Sequence, residues 1–264
     1  MNPLDAARRT ADSQNLFYLL GQLVRRDFRL RFTGSALGLA WAVLQPLSLV
    51  VLYWFVFTKM IPPRVPHAGG GSYVLFLVSG LLPWLGLSEG IMRSTTSIVD
   101  NAPMVRRLAF RSELLVVVPN VTAILFEAIA VALLATFLVA RGFSLSQIWL
   151  LPLAISIQLL MQTGLGWILA ALFVFFRDVS QLLGFFLSIT FYLSPILYPV
   201  TGRFEHFFRW NPMTPLLGLF RSALTSAPIP EVGSIVFLLI TTTLIFAGGL
   251  SLFRRAQPSL VDLI

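Results

Sequence analysis

Six stretches of this chain are too long and too apolar to form the core of a soluble protein. Leu37–Thr58, Tyr73–Met92, Leu114–Ala140, Ile148–Phe176, Leu182–Val200 and Val232–Phe253 consist mostly of Leu, Ile, Val, Phe and Ala. A helix needs about 20 apolar residues to cross a hydrocarbon core of about 30 Å. The third, fourth and sixth stretches pass that length easily. In lipid every backbone polar group must be satisfied internally, so only helices and closed barrels span, and runs this long are not barrel strands. The expected fold is therefore all-α and integral to a membrane. It has six transmembrane helices in a single domain covering residues 1–264.

Composition narrows the function. The chain is 57% hydrophobic and 11% charged, with a net charge of +8. That charge does not point to nucleic acid, because the Arg residues gather at span ends, where membrane topology accounts for them. With no Cys there is no disulfide framework, thiolate metal site or cysteine nucleophile. His67 and His206 cannot build a His-rich metal site alone. The polar start, Met1–Gln14, carries no signal-peptide hydrophobic region. With six spans, both termini share a side. That side holds thirteen basic residues: Arg8, Arg9, Arg25, Arg26, Arg29, Arg31, Arg93, Arg106, Arg107, Arg111, Arg177, Arg254 and Arg255. The other holds six: Lys59, Arg64, Arg141, Arg203, Arg209 and Arg221. The positive-inside rule then puts both termini in the cytoplasm.

Local patterns add detail. Over residues 15–33, Leu16, Leu19, Leu20 and Leu23 recur at helical spacing and Arg25, Arg26, Arg29 and Arg31 crowd the end. This predicts an amphipathic helix on the inner membrane surface, or a plain basic flank of the first span. Gly34–Gly38 and Gly86–Gly90 are GxxxG pairs, which let helix backbones approach closely. Pro46 predicts a kink in the first span, and Trp84 after Pro83 a break in the second. Residues 94–113 form the longest cytoplasmic loop, with a turn and a short basic helix at Asn101–Arg107. Residues 201–231 contain two short apolar pieces, Phe204–Trp210 and Met213–Leu224, broken by Asn211-Pro212 and Pro215. They read as two re-entrant helices dipping into the outer leaflet.

No catalytic constellation is present. The only lysine, Lys59, follows Thr58 on the outer side, so a GxxxxGK[ST] phosphate loop is impossible. The chain is not itself an enzyme, and any ATPase driving it is a separate subunit. Glu127 is the ionisable residue at mid-membrane, seven positions after Asn120 and on the same helix face. Gln158 and Gln162 on the fourth span are positioned to bond it. An acid there is a functional candidate, as channel wall, structural group or proton carrier. Glu89 and Arg93, four apart, pair along their helix. Tyr53, Trp54, Phe57, Trp84, Phe191, Tyr192, Tyr198 and Trp210 are either interfacial aromatics or the lining of a path for sugar rings.

Five motifs then occur in a telling order. Arg25-Arg-Asp-Phe-Arg-Leu-Arg-Phe-Thr-Gly-Ser-Ala-Leu-Gly-Leu-Ala-Trp41, followed by Leu44-Gln-Pro46, resembles the opening of the type-2 ABC exporter permeases for polysaccharides. Asn101-Ala-Pro-Met-Val-Arg-Arg-Leu-Ala-Phe110 is similar to their cytoplasmic loop segment, with Arg111 standing where the family usually has Pro. Phe176-Arg-Asp-Val179, Phe191-Tyr-Leu-Ser-Pro-Ile-Leu-Tyr-Pro199 and Trp210-Asn-Pro-Met213, with Arg221 after it, resemble the remaining marks. The match spans nearly the whole chain. It looks nearest to the O-antigen (Wzm-type) and teichoic-acid permeases, and less like the capsule branch.

The resemblance implies a homodimer in a bacterial inner membrane, joined to two nucleotide-binding ATPase subunits that hold the ATP and magnesium; the chain itself binds no cofactor. Asn101, Pro103, Met104, Arg106, Arg107 and Phe110 would form the coupling helix, with Arg177 and Asp178 as a second ATPase contact. Residues 15–33 would be the interface helix, and Arg25, Arg26 and Arg29 would meet lipid headgroups, including the pyrophosphate of a lipid carrier. The first and fifth spans would form the channel wall and its lateral opening, and residues 201–231 the outer gate. The aromatics named above and Glu127 would line the channel for a lipid-linked polysaccharide, O-antigen foremost. Alternatives are a teichoic acid, a capsule glycan or a small hydrophobic drug or lipid. A secondary transporter without ATPase is a further one, and it predicts paired discontinuous spans and several mid-membrane acids.

Overall fold

The computed structural model describes residues 3–32, 38–60, 73–107, 111–200 and 208–263. These are helical with short connections, and no strand occurs among them. In chain order the helices are α1 (Pro3–Phe32), α2 (Trp41–Phe55), α3 (Tyr73–Asp100), α4 (Ala102–Arg107), α5 (Glu113–Ala140), α6 (Leu150–Phe175), α7 (Val179–Leu193), α8 (Met213–Thr225) and α9 (Val232–Leu263). A short 3₁₀ turn at Gly38–Ala40 leads into α2, and a π-helical turn at Val56–Met60 ends it.

Among the described residues, four helices are long and apolar enough to cross a membrane: Tyr73–Asp100, Glu113–Ala140, Leu150–Phe175 and Val232–Ser259. They coincide with the second, third, fourth and sixth expected spans. The first and fifth correspond to the shorter apolar helices Leu44–Tyr53 and Val179–Leu193. The chain is thus a multi-pass helical membrane protein.

Several boundaries differ from the sequence reading, each for a local reason. α3 runs unbroken through Pro83 and on to Asp100, so Ser94–Asp100 is helix and not loop. Its Ser and Thr side chains bond back to the helix's own carbonyls, Ser94 and Thr95 to Ile91 O and Ser97 to Ser94 O. That keeps polar residues compatible with a buried helix. The connection to α5 is therefore short and built around α4. α7 stops at Leu193, earlier than Val200. Ser194, before Pro195, is extended at φ −103 and ψ 147, because a following proline disfavours helical backbone. α5 ends in a Schellman turn. Gly142 sits at φ 82, its N–H bonds Val139 O at 2.9 Å, and the Phe143 N–H bonds Leu138 O at 3.0 Å.

The centre of the bundle is α3, α5, α6 and α8, with α9 against α6. α8 is not lipid-facing. Leu216, Leu217, Leu219, Phe220, Ala223 and Leu224 are all fully buried, packed into a core with Leu81, Trp84, Ile157 and Leu238. A second core, at the other end, joins Ile98, Leu115, Val116, Trp167, Ala170 and Phe253. The α6–α9 seam needs glycines: a Cβ on Gly164 would lie 2.7 Å from Ile245 O, and one on Gly249 would run into Gly164. α2 and α7 stand at the periphery, with Leu47, Val51, Leu52, Phe185, Phe186 and Tyr192 about half or more exposed.

Candidate functional site

Polar contacts form three tiers along the bundle. The first is at the Arg-rich end, where α1 lies against α3 and α5. The positions of α1 that turn toward the bundle, Leu16, Leu19, Leu20, Leu23, Asp27 and Arg31, keep the helical spacing of the sequence. Asp27 accepts from Arg93 at 2.7 Å, and Arg31 pairs with Glu89, one guanidinium N–H donating at 2.9 Å. The Arg31 guanidinium also sits 4.1 Å from the centre of the Phe126 ring, on which Phe28 stacks at 4.8 Å. The expected Glu89–Arg93 pair exists only at 3.8 Å. The tight partners of both residues lie on α1, so crossed charges bolt that helix to the second span.

The same end carries the residues expected at the ATPase. Asn101 closes α3, its side-chain amide donating to Ser97 O at 2.8 Å, and its carbonyl accepts from the Met104 N–H to start α4. Pro103 is exposed, and Arg26 of α1 donates to the Met104 sulfur at 3.2 Å. Arg177 and Asp178 are exposed at the α6–α7 corner, Arg177 lying over Phe173 at 5.3 Å. Arg25 and Arg29 are exposed on α1. Arg106 and Arg107 lie in α4 with side chains outside the described residues, and Phe110 and residues 204–207 of the first outer piece lie wholly outside them. Arg254 and Glu113 join α9 to the start of α5 at 3.1 Å.

The second tier is at mid-membrane. Glu127 is 4% exposed, and its Oε2 accepts from the Gln158 amide at 2.5 Å. Gln158 also donates to Pro83 O at 3.2 Å, holding the second span at its proline. Gln162 bonds the Asn120 backbone carbonyl at 3.0 Å, and not Glu127. Gly86 and Gly90 make the space. A Cβ at Gly86 would lie 2.9 Å from the Glu127 carboxyl carbon, and one at Gly90 2.8 Å from Asn120 Oδ1. The second GxxxG is thus an intramolecular seam that admits two polar side chains.

The third tier clamps the end of α7. Pro195 and Pro199 stop the helix and leave its last carbonyls without helical donors. Side chains supply them. Asn211 donates to Leu193 O at 3.0 Å, Arg221 to Pro195 O at 2.5 Å and Ile196 O at 3.4 Å, and Tyr73 to Leu197 O at 2.5 Å. The Tyr198 hydroxyl donates to Tyr192 O. The Arg221 guanidinium also lies 3.7 Å from the Phe76 ring centre, and Gly80 leaves room for it.

Among the described residues the aromatics expected along a channel link up in part: Phe191 meets Tyr192 edge-on at 5.3 Å, and the Tyr198 hydroxyl joins Tyr192. Trp84 is buried and packs on Phe191 at 5.8 Å, and Tyr53 is partly buried against the same core. Tyr192, Tyr198 and Trp210 are exposed, Trp210 meeting Phe237 edge-on. The side chains of Trp54 and Phe57 lie outside the described residues.

Residues 18–225 match the model of the ABC-2 type transporter family. The chain belongs to that family. This ABC-2 type transporter is 25% identical over 254 residues to the O-antigen export system permease protein RfbA of Klebsiella pneumoniae, covering 94% of this chain and 96% of the relative. It is 25% identical over 252 residues to the RfbA protein of Myxococcus xanthus, with 93% and 95% covered. Against the polysialic acid transport protein KpsM of Escherichia coli it is 22% identical over 244 residues, with 90% and 93% covered. The matched segment contains all three tiers, from the α1 charges to Arg221. Sequence reasoning missed Asp27 and Arg31 as bolts and Arg221 as a clamp. The signal for Arg221 was a lone cation in an otherwise apolar helix.

Proposed function

We propose that this chain is the channel-forming membrane subunit of an ABC exporter that carries a lipid-linked polysaccharide, O-antigen foremost, out across the bacterial inner membrane. The observation that carries the reading is full-length similarity to O-antigen export permeases in a chain with no phosphate loop of its own. Energy then comes from a separate ATPase subunit, which docks at α4 and at the Arg177–Asp178 corner. α2 and α7 complete six spans, with both termini cytoplasmic by the distribution of Arg. Their exposed apolar faces suit a homodimer whose channel runs between the two copies. A polymer with many hydroxyls needs such a conduit, since each polar group left unpaired in hydrocarbon costs several kcal/mol. The similarity to a polysialic acid transport protein keeps capsule-type glycans within the same reading.

The test is deletion of the gene followed by analysis of surface and membrane-bound glycans. Loss of a long surface polysaccharide, with its lipid-linked form retained inside, is the expected result. Unchanged surface glycans would refute the reading and favour a small-molecule or lipid substrate.

A further inference from the structure

A half-open cavity of about 300 Å³ lies within one copy of the chain, between α2, α3, α5 and the end of α1. Its walls include Trp41 and Gln45 of α2, Ser88 and Glu89 of α3, Glu127 of α5 and Arg31 of α1. Three features define what it can hold. First, Glu127 is almost wholly buried, and its Oε1 has no hydrogen-bond partner although its Oε2 has one. A buried acceptor left unpaired costs about 1–3 kcal/mol, so an occupant able to donate a hydrogen bond to it is favoured. Second, Arg31 and Glu89 at the rim are paired with each other, which leaves Glu127 as the acid without a basic partner. A phosphate or carboxylate would face two carboxyls and is disfavoured, while a purely apolar guest leaves Oε1 unpaired. Third, Trp41, 47% exposed, offers an indole to the same space. Such a surface binds ligands that combine an apolar face with polar edges.

We infer that this cavity is a binding station for one sugar ring of the exported glycan, stacked on Trp41 with a hydroxyl donating to Glu127. The inference rests on the polysaccharide reading and adds a site inside each subunit, separate from any channel between copies. Ser88, Gln45 and the Glu89 carboxylate are the further polar groups within reach of the ring's remaining hydroxyls. Gly86 leaves the carboxyl its room, since a Cβ there would lie 2.9 Å from the Glu127 carboxyl carbon.

The chain has no cysteine, so a single thiol reports on the cavity cleanly. S88C is expressed with a hydrolysis-deficient ATPase partner, and its rate of reaction with a small methanethiosulfonate is measured in intact membranes. Membranes that accumulate the lipid-linked glycan are compared with membranes from a strain lacking the glycosyltransferase that begins it. Labelling is expected to fall about fivefold when the glycan stands at about four times its dissociation constant, since the empty fraction falls as 1 + [L]/Kd. Adding E127A should remove the protection, so that membranes with and without the glycan are labelled at the same rate. If E127A fails to fold, W41A on the lipid-exposed α2 serves in its place, and Q45C replaces S88C as reporter on the same terms. Equal labelling in both strains would overturn the site, as would protection in both, which means a phospholipid headgroup fills it. Failure of the broader reading appears separately, as intact surface polymer in the deletion strain.

Discussion

Replacing Arg221 by Met tests whether a single guanidinium holds the end of α7 in place. The side chain donates to Pro195 O at 2.5 Å, Ile196 O at 3.4 Å and Phe76 O at 3.3 Å. These bonds are not equal. Phe76 O lies inside α3 and keeps its helical donor, so losing Arg221 costs it little. The Ile196 bond is long. Pro195 O carries most of the effect, at about 1.5–3 kcal/mol for a hydrogen bond to a charged group. Loss of the cation–π contact with Phe76 adds about 0.5–2 kcal/mol. A buried ion pair can be replaced by apolar groups at no net loss, but here the partners are carbonyls, which a thioether cannot satisfy. The expected cost of R221M is about 2–5 kcal/mol, and R221K should fall between it and wild type, because an ammonium is a point donor without the planar fork. The assay is equilibrium unfolding of the detergent-solubilised protein. R221M within about 0.5 kcal/mol of wild type, the range of a neutral surface change, would refute the clamp.

Two further outcomes follow from the packing. G164A should destabilise by about 1–3 kcal/mol, as overpacking does, since its Cβ would meet Ile245 O and the Phe246 Cα at 2.7 Å; the same unfolding assay measures it, and an unchanged midpoint would mean that α6 and α9 do not touch there. Reversing Arg31 or Glu89 alone should loosen α1, while the double exchange R31E/E89R should recover most of the loss. The side chains are 22% and 29% exposed, so the coupling energy should be about 1 kcal/mol, read in a double-mutant cycle by protease protection of α1.

Length and hydropathy were enough to read the long spans, because a helix in lipid must be long and apolar whatever surrounds it. Glu127 with Gln158 was legible for the same reason: a polar group at that depth must find a partner, and few are available. Gly86 and Gly90 were legible as a seam, though not as room for Glu127 and Asn120. What was not legible shares a cause. α8 reads as an apolar helix whether it faces lipid or protein, and composition cannot separate the two in a membrane. Pro83 looked like a break, yet α3 runs through it, and the Gln158 amide that binds the Pro83 carbonyl comes from another helix, out of reach of local sequence. Glu89 and Arg93 pair at 3.8 Å as their spacing along one helix implies, but their tighter partners, Arg31 and Asp27, arrive from more than fifty residues away and were not legible.

The burial of α8 also divides the molecule by how hard its parts are to move. Withdrawing α8 would empty the sites of Leu216, Leu217, Phe220 and Leu224 and strip the α7 end of its Arg221 donor. Among the described side chains, α7 gives the hydrophobic cores Leu183, Leu187 and Phe191, and α2 gives them Val50 and Tyr53. Any movement of α7 therefore pivots on its pinned end, because buried Ile196 and the Asn211, Arg221 and Tyr73 donors hold that end to the core, while the rest of the helix meets the core through few side chains.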